Sequence, residues 1–509
     1  MAQEKFVGHE QSLSEADRVK HNGVVADGSI NAEKVLGARV IRKCCYYLLP
    51  WLWMLVFFTY LDRSNLSFAA FQFKKDIGLS NTVYGLGASI FFVGYTVGQI
   101  PSNICLKLIG APWLTMILVA WGLVSALGCL INSPNGYIVQ RLILGIVESG
   151  TFPGMWYHIT VFFNSNETGP ALALVATSTA LSQVIGAPIG AALMLMDGLR
   201  GIRGWRWLFL IEGLITIVFG IAFYFGLAQT PLKAYFLKRE ERVWLDNRQK
   251  REAQIRAAAN PHTSSMIGSF FNFRIWWLAL AWLLEETVRY GILFWVPLLL
   301  DGIITGNFNG KSAVTSLPNP KDQAWYSAKL ALISAILYVS AAIVMTLIAW
   351  SSKRHHEKNL HTAIPLVCSG VAFICTPIAT QQRGTVAGFA VLCIAGACTW
   401  CTFGPAWSWP AEIFHGPARA SGIALFNTCG AAGGIIGPYL IGYLSDHYSY
   451  GTAMTTLGAF NLAAALLFGT FPGASKADKE AALAAEQSTS HSHPPAETRT
   501  GTEKSAQSA

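Results

Sequence analysis

The stretch Trp113-Leu-Thr-Met-Ile-Leu-Val-Ala-Trp-Gly-Leu-Val-Ser-Ala-Leu-Gly-Cys-Leu-Ile131 contains no charged residue. As a helix rising about 1.5 Å per residue, it is long enough to cross a hydrocarbon core about 30 Å thick. The run 331–350 is equally free of charge. Such stretches predict helices that cross a membrane rather than the amphipathic helices of a soluble domain.

Composition also separates the chain from ordinary soluble proteins. Only 13% of its 509 residues are charged, whereas soluble proteins carry roughly 25%, and the mean hydropathy is +0.40. The net charge of +9 comes mainly from basic residues between the apolar runs. This distribution is typical of loops beside a membrane and does not indicate nucleic-acid binding. We therefore expect the lipid bilayer as a partner and no nucleic acid.

Twelve apolar runs and one hydrophilic interruption organise the chain. The runs lie near residues 46–70, 82–106, 112–132, 135–163, 169–196, 205–228, 271–300, 325–350, 361–381, 385–409, 418–443 and 451–471. We predict an all-α membrane protein with twelve transmembrane helices in two pseudo-symmetric six-helix bundles. The predicted segments are a disordered cytoplasmic N-terminal tail (1–45), the first bundle (46–228), a cytoplasmic linker (229–270), the second bundle (271–471) and a disordered cytoplasmic C-terminal tail (472–509).

Two pairs of prolines suggest that the second bundle repeats the first. Pro188 and Pro438 are 250 positions apart, and Pro153 and Pro405 are 252 positions apart. Carriers built from two parallel six-helix repeats bind their substrate near the midplane, where the repeats meet. The pattern therefore indicates a carrier with a central binding site.

Basic residues predict the orientation of the chain. Sixteen basic residues that flank the apolar runs or belong to the linker fall on the side of the termini and the linker, and seven fall on the other side. Because loops rich in Lys and Arg remain in the cytoplasm, we expect both termini there. We expect a monomeric, multi-pass protein of the plasma or cell membrane.

Ionisable residues within the apolar runs mark the candidate site, because they are costly in hydrocarbon unless paired or solvated. Asp62 and Arg63 are adjacent in run one. Arg141 and Glu148 are seven residues apart in run four and share a helix face, where Gly145 would let another group approach the helix backbone closely. A carboxylate that binds a proton beside an arginine that binds an anion would couple proton transport to anion transport. The alternative is a static ion-pair network that joins helices.

Run seven adds a second charged set. Arg289 lies four residues after Glu285, the spacing of an intrahelical ion pair. Glu286 points about 100° away from Glu285, so the two cannot face one pocket equally. This set either satisfies itself or lets Arg289 and Tyr290 contact a substrate with two negative or polar ends.

Two amides complete the candidate site. Gln183 in run five and Asn427 in run eleven either bind hydroxyl groups of a substrate or join helices by hydrogen bonds. Cys398 and Cys401 form a C-x-x-C pair without further ligands, so we expect no metal. No nucleophile and base are paired in the sequence, and we do not expect an enzyme.

The residues resemble the anion:cation symporter family of the major facilitator superfamily. The first-helix signature of that family is similar to Leu61-Asp-Arg-Ser-Asn-Leu-Ser67. Further matches follow in order: Gln99-Ile-Pro-Ser-Asn103, Arg141-Leu-Ile-Leu-Gly-Ile-Val-Glu-Ser-Gly150, Pro153-Gly154, Gly204-Trp-Arg-Trp-Leu-Phe-Leu-Ile-Glu-Gly213, Phe294-Trp-Val-Pro297, Ala411-Glu-Ile413, Ala418-Arg-Ala420, Asn427, Gly433-Gly434 and Gly437-Pro438. The resemblance covers 46–471, which is everything except the tails.

The resemblance implies transport of an organic anion such as a sugar acid or another carboxylate, with a proton gradient as the energy source and no cofactor. It implies that Asp62 and Glu148 couple protons. It implies that Arg63 or Arg141 meets the carboxylate, with Gln183 and Asn427 as polar contacts.

The chain departs from the family in two places. The loop after run eight reads Ser351-Ser-Lys-Arg-His-His-Glu357 and lacks the aspartate of the usual gating Asp-Arg pair. Run seven carries more charge than is usual for the family.

Other readings of function stay open beside proton-coupled symport. They are sodium coupling, exchange, facilitated diffusion, and a nutrient sensor that binds without transporting. The sequence leaves the identity of the anion and the transport stoichiometry undetermined.

Overall fold

The computed structural model describes residues 15–258, 273–309, 314, 317, 319–355, 357–406, 409 and 417–472. Throughout these ranges the regular structure is helical, with no strand. The N-terminal part contains seven helices: α1 (Glu15–Ile77), α2 (Asn81–Ile109), α3 (Pro112–Leu127), α4 (Pro134–Glu148), α5 (Thr151–Phe162), α6 (Ser165–Met194) and α7 (Gly204–Gly226).

Seven further helices follow. They are α8 (Arg239–Ala258), α9 (Phe273–Thr305), α10 (Pro320–His355), α11 (Asn359–Arg383), α12 (Thr385–Trp400), α13 (Pro417–His447) and α14 (Tyr450–Gly469). Eleven helices in the described ranges are long and apolar enough to cross a membrane. The described helices therefore confirm the predicted all-α fold, with the twelfth crossing made by a broken helix.

That broken crossing is the predicted run 135–163, which the structure divides into α4 and α5. The two pieces have 15 and 12 residues, each shorter than the ~20 residues that a crossing needs. Pro153 explains the break, because a proline lacks an N–H and its ring clashes with the carbonyl four residues earlier. That carbonyl belongs to Ser149, which directly follows Glu148 at the end of α4. The break thus places Glu148 at a helix terminus inside the protein.

Polar caps fix where several helices begin. The Ser80 side chain accepts a hydrogen bond from the backbone N–H of Val83 at the start of α2. The α6 helix begins with a reciprocal capping box between Asn164 and Glu167. Such caps satisfy backbone N–H groups that the first helical turn leaves without partners.

The first helix begins earlier than predicted. Residues 15–45 were expected to belong to a disordered tail, but they continue α1 toward its N-terminus. Extending an existing helix avoids the cost of nucleation, and Lys43 is held by two 2.8 Å contacts to the Glu241 carboxylate in α8. The predicted linker 229–270 likewise contains α8. The predicted C-terminal tail from residue 473 and the first 14 residues lie outside the described part of the chain.

The structure divides into two compact units. The first consists of Met1–Glu252, Ile292–Val339 and Pro438–Tyr450. The second consists of Ala253–Gly291, Ser340–Gly437 and Gly451–Ala509. This division differs from the predicted boundary between 46–228 and 271–471, since parts of α9, α10 and α13 belong to the first unit. Asp62, Arg63, Arg141, Glu148 and Gln183 lie in the first unit, and the charged set of run seven lies in the second.

Candidate functional site

Arg63 and Glu148 form a buried ion pair between α1 and α4. The Arg63 Nε donates to the Glu148 Oε1 over 3.0 Å, and its Nη2 donates to the same oxygen. The exposed fractions of the two side chains are 2% and 0%. The other Glu148 oxygen, Oε2, has no hydrogen-bond partner among the described residues. The predicted proton-coupling acid is therefore joined to the predicted anion-binding arginine.

Aromatic rings surround the Arg63 guanidinium. Its Cζ lies 5.2–5.8 Å from five ring centroids, those of Tyr60, Phe91, Phe92, Tyr95 and Phe152. Rings at this distance attract a cation through their negative faces. They also exclude water, so the ion pair sits where electrostatic interactions are strong.

Arg141 lies on the same buried face of α4 as Glu148, as the seven-residue spacing predicted. Its guanidinium lies 4.9 Å from the Phe91 ring centroid and 6.0 Å from that of Phe294. Its Nε and Nη2 have no hydrogen-bond partner in the described part of the chain, although the side chain is only 3% exposed. A guanidinium with unused N–H groups is suited to the oxygens of a carboxylate.

Asp62 faces the same small cavity as Arg141. The Oγ of Ser125 in α3 donates to Asp62 Oδ1 over 2.5 Å, and Oδ2 has no partner among the described residues. The polar side chains around the cavity are those of Asp62, Ser125, Tyr137, Gln140 and Arg141. Because adjacent residues point about 100° apart on a helix, Asp62 and its neighbour Arg63 contact different groups. The four predicted charges thus separate into one ion pair and one polar cavity.

Close packing of α2 on α4 depends on Gly145, so the group that approaches at this position is the backbone of another helix. A Cβ at this position would meet the carbonyl oxygen of Phe91 and would lie 3.0 Å from the backbone nitrogen of Tyr95. Only a glycine leaves room for this approach. The contact brings Phe91 against both Arg63 and Arg141.

Gln183 joins two helices of the first unit. Its Nε2 donates to the backbone carbonyl of Tyr60 over 3.1 Å, which connects α6 to α1. This bond matches the alternative in which the amide joins helices. The amide oxygen Oε1 is buried without a partner among the described residues, so it stays available to a donor such as a hydroxyl group.

In the second unit, Arg289 is held by both neighbouring acids. It donates to Glu285 through Nη2, and its Nη1 donates to Glu286 over 2.9 Å. The predicted pair with Glu285 is confirmed, and Glu286 adds a second contact that the sequence did not predict. Thr402 Oγ1 also donates to Glu285 Oε1 over 2.9 Å. The two ion pairs agree with the predicted alternative of a set paired within its own helix, although the buried Glu285 Oε2 has no hydrogen-bond partner among the described residues.

The remaining predicted contacts lie beside this set. Tyr290 and Asn427 are half-buried on α9 and α13. The Cβ of a residue larger than glycine at position 433 would lie 2.7 Å from the Leu283 carbonyl oxygen and from the Thr287 nitrogen. The glycines of α13 therefore allow it to pack closely on α9.

The loop that lacks the expected aspartate contains an acid, Glu357, that is bonded to the start of the next helix. Glu357 accepts hydrogen bonds from the backbone N–H of Leu360 over 2.8 Å and from that of His361 over 3.2 Å. The His361 ring nitrogen Nδ1 lies 2.8 Å from the same carboxylate. Burial acts against the charge, but these bonds outweigh it and lower the pKa of Glu357. The residue caps the start of α11, so this acid has a structural partner within the loop.

Two side chains near Asp62 were missed by sequence reasoning. Ser125 was counted as part of an uncharged apolar run, and its bond to Asp62 depends on the packing of α3 against α1. Glu212 is buried in α7 with an exposed fraction of 5%. The sequence contains a signal for this residue, because Glu212 is an ionisable side chain within the apolar run 205–228.

Comparison with known proteins identifies the family to which the chain belongs. The chain is 34% identical over 417 residues to a protein of Agrobacterium vitis described as a putative tartrate transporter, covering 81% of this chain and 86% of that one. It is 29% identical to a quinolone resistance transporter of Acinetobacter baumannii, covering 84% of this chain and 93% of that protein.

A solved structure supports the fold. The xylose transporter XylE from Escherichia coli, in a partially occluded inward-open conformation, matches with a TM-score of 0.63 at 13% identity, covering 85% of this chain and 98% of that one. At this identity the likeness shows the fold alone. The family model described as Major Facilitator Superfamily matches residues 52–438 and, in a second match, 303–504. The chain is a membrane transporter and belongs to the Major Facilitator Superfamily.

Proposed function

We propose that this carrier moves a small organic anion together with protons. The observation that carries the proposal is the buried Arg141 guanidinium, whose Nε and Nη2 have no hydrogen-bond partner among the described residues. Burying a cation with unsatisfied donors is costly. Binding of a carboxylate would supply the missing acceptors and an opposite charge.

The proposed substrate class is a hydroxy acid with more than one carboxylate. Arg141 would hold one carboxylate and Arg63 a second. The buried Gln183 Oε1 would accept a hydrogen bond from a substrate hydroxyl. Tartrate has this chemistry, and the relative of 34% identity is described as a putative tartrate transporter. The substrate contacts that the sequence predicts at Arg289, Tyr290 and Asn427 stay predictions.

Coupling would follow from the ion pair of Arg63 and Glu148. While Glu148 is ionised, it occupies the Arg63 guanidinium and would repel a carboxylate. Protonation of Glu148 would cancel its charge and release Arg63 for the substrate. Asp62 would act in the same way on Arg141, since both line one cavity. Proton and anion would then favour each other's binding, as linkage requires.

Proteoliposomes test this proposal against the other transport mechanisms. L-Tartrate uptake is measured with an inward pH gradient in sodium-free buffer, with a sodium gradient at constant pH, and with unlabelled tartrate inside. Proton symport predicts accumulation above equilibrium under the pH gradient alone. Accumulation that needs sodium, or exchange without accumulation, would replace proton symport by the corresponding alternative.

A sensor that binds without transporting is tested by the same experiment. The linker helix α8 is held to the first unit by Lys43 with Glu241 and by Arg248 with Glu167. These ion pairs attach the linker to neighbouring helices and do not by themselves favour a role in signalling. A sensor predicts tartrate binding to the purified protein with no flux.

Orientation, membrane and assembly are part of the proposal. The excess of basic residues favours cytoplasmic termini in the plasma or cell membrane. We propose that the carrier acts as a monomer and needs no cofactor besides the proton gradient. Single cysteines are introduced in the loops of the protein, and labelling of intact cells with an impermeant thiol reagent checks the orientation.

A further inference from the structure

Glu212 is a buried acid that the proposed coupling scheme does not use. It is one of the buried residues of α7, between Phe209 and Thr216. Its side chain is 5% exposed. Neither carboxylate oxygen has a hydrogen-bond partner in the described part of the chain. This is an apolar environment for a group that is ordinarily ionised in water.

Among the described residues, no cation acts on the Glu212 carboxylate. The charged group that acts on it is Asp62 of α1, whose like charge repels it. From α3, the neighbouring groups are neutral. The next residue, Gly213, packs directly on the backbone of Ala126, and Ser125 donates its hydroxyl to Asp62. Arg63 and Arg141 act on Asp62.

Two carboxyl groups at this depth cannot both be ionised at low cost. An ionised carboxylate without a counter-charge or hydrogen bonds is strongly disfavoured in a low-dielectric interior, and a nearby like charge disfavours it further. Asp62 has a hydrogen bond from Ser125 and the influence of two arginines. Within the described part of the chain Glu212 has neither, so we expect a proton to be held by Glu212 before Asp62.

We propose that Glu212 is a further proton-binding group of this carrier and acts as a pair with Asp62. Glu212 carries a proton in the conformation described, and Asp62 accepts or releases a second one at the cavity. When Asp62 loses its proton, its negative charge makes Glu212 bind its own proton more strongly. The inference rests on the proposed proton-coupled transport for its role, but the protonation of Glu212 stands apart from it.

The protonation state is tested on the purified protein without any substrate. Infrared difference spectroscopy in H₂O and D₂O measures the carbonyl stretching band of protonated carboxyl groups at neutral pH. Glu212→Gln should lose part of this band, because glutamine fills the same volume without the acid. Glu240→Gln, which changes an exposed acid in α8, is the matched control and should keep it. A band that is unchanged in Glu212→Gln overturns the proposal.

A second variant guards against misfolding of the first. Glu212→Asp keeps an acid but shortens the side chain, so the same band should shift rather than disappear. Size-exclusion profiles of both variants confirm that they are folded. A shift absent from Glu212→Asp contradicts the protonation of Glu212 just as an unchanged band in Glu212→Gln does.

The role in transport is tested by the pH dependence of L-tartrate uptake into proteoliposomes. Glu212→Gln should lose the dependence of uptake on the pH gradient and retain counterflow exchange. A pH profile equal to that of the native protein would mean that Glu212 has only a structural role, and it would overturn the pairing. If the native protein shows no pH-driven uptake, the proposed function fails, while the infrared result still decides whether Glu212 holds a proton.

Discussion

The Nε of Arg63 lies 3.0 Å from Oε1 of Glu148, in a cage where neither side chain is more than 2% exposed. Each residue of this pair has its charge cancelled by the other. Any event that neutralises Glu148 therefore removes a counter-charge from Arg63 at membrane depth, where charge is costly. A carboxylate is the group that can replace the lost partner.

Substitution of Glu148 by Gln should uncouple transport. Glutamine mimics the protonated acid in shape and charge, so Arg63 would be permanently available to substrate. We expect Glu148→Gln to abolish accumulation of L-tartrate under a pH gradient while sparing counterflow exchange. Both are measured in proteoliposomes, with Glu240→Gln as the matched control on an exposed acid. Normal accumulation by Glu148→Gln would remove Glu148 from proton coupling.

Removal of Arg141 should abolish substrate binding without unfolding the protein. Its guanidinium is buried without hydrogen bonds at Nε and Nη2, so Arg141→Ala removes a costly charge rather than a structural pair. The stabilisation of the native protein by saturating L-tartrate, measured as a thermal shift, should disappear. Arg141→Lys should weaken binding less, because it keeps a cation but not the paired donors. Arg141→Ala with an unchanged thermal shift would contradict the proposed anion site.

Loss of Arg63 should destabilise the protein, in contrast to loss of Arg141. Breaking a buried ion pair by removing one partner costs about 3–5 kcal/mol, because the other charge is left without compensation. Arg63→Ala should therefore lower the apparent midpoint of thermal unfolding, and the double variant with Glu148→Gln should recover much of the loss. A double variant as unstable as Arg63→Ala would show that the cost comes from the aromatic cage and not from the pair.

Gly145 should tolerate no larger side chain. A Cβ there would meet the Phe91 carbonyl oxygen, so α2 and α4 would have to move apart at a cost of about 1–3 kcal/mol. We expect Gly145→Ala to lower the apparent unfolding midpoint. Gly169→Ala in α6 is the control, since nothing lies within 4 Å of the added carbon. Equal midpoints for the two variants would contradict the close contact.

The ion pair between the linker helix and α1 should make stability depend on pH in the acidic range. Burial opposes the charge on Glu241, but the hydrogen bond from Lys43 and that from the Lys238 backbone lower its pKa below 4.5. A depressed folded-state pKa gives stability that is complete above the unfolded value and is lost as the pH falls through the folded value. The apparent unfolding midpoint should therefore fall as the pH drops below about 4.5, and less steeply in Lys43→Met. Identical slopes would show that the pair does not stabilise α8.

The broken fourth crossing shows which features of the fold depend on local chemistry and which depend on tertiary packing. Pro153 and the preceding Ser149-Gly150 are visible in the sequence, and the rule for proline predicts a break at that place. The prediction of one continuous run missed it because hydropathy reports only the apolar length. The same local view missed the helical residues before Tyr46, among which Lys43 contacts Glu241 of α8.

The sequence by itself determined the twelve crossings, the membrane class and the shared face of Arg141 and Glu148, because hydropathy and helical periodicity are properties of neighbours along the chain. Only the tertiary structure decided that Glu148 pairs with Arg63 while Asp62 faces Arg141. Partner choice depends on how α1, α3 and α4 are rotated and placed against one another, which no spacing within a single helix specifies. Glu212 illustrates the same limit, since its proposed pairing with Asp62 depends on how α7 and α1 are packed.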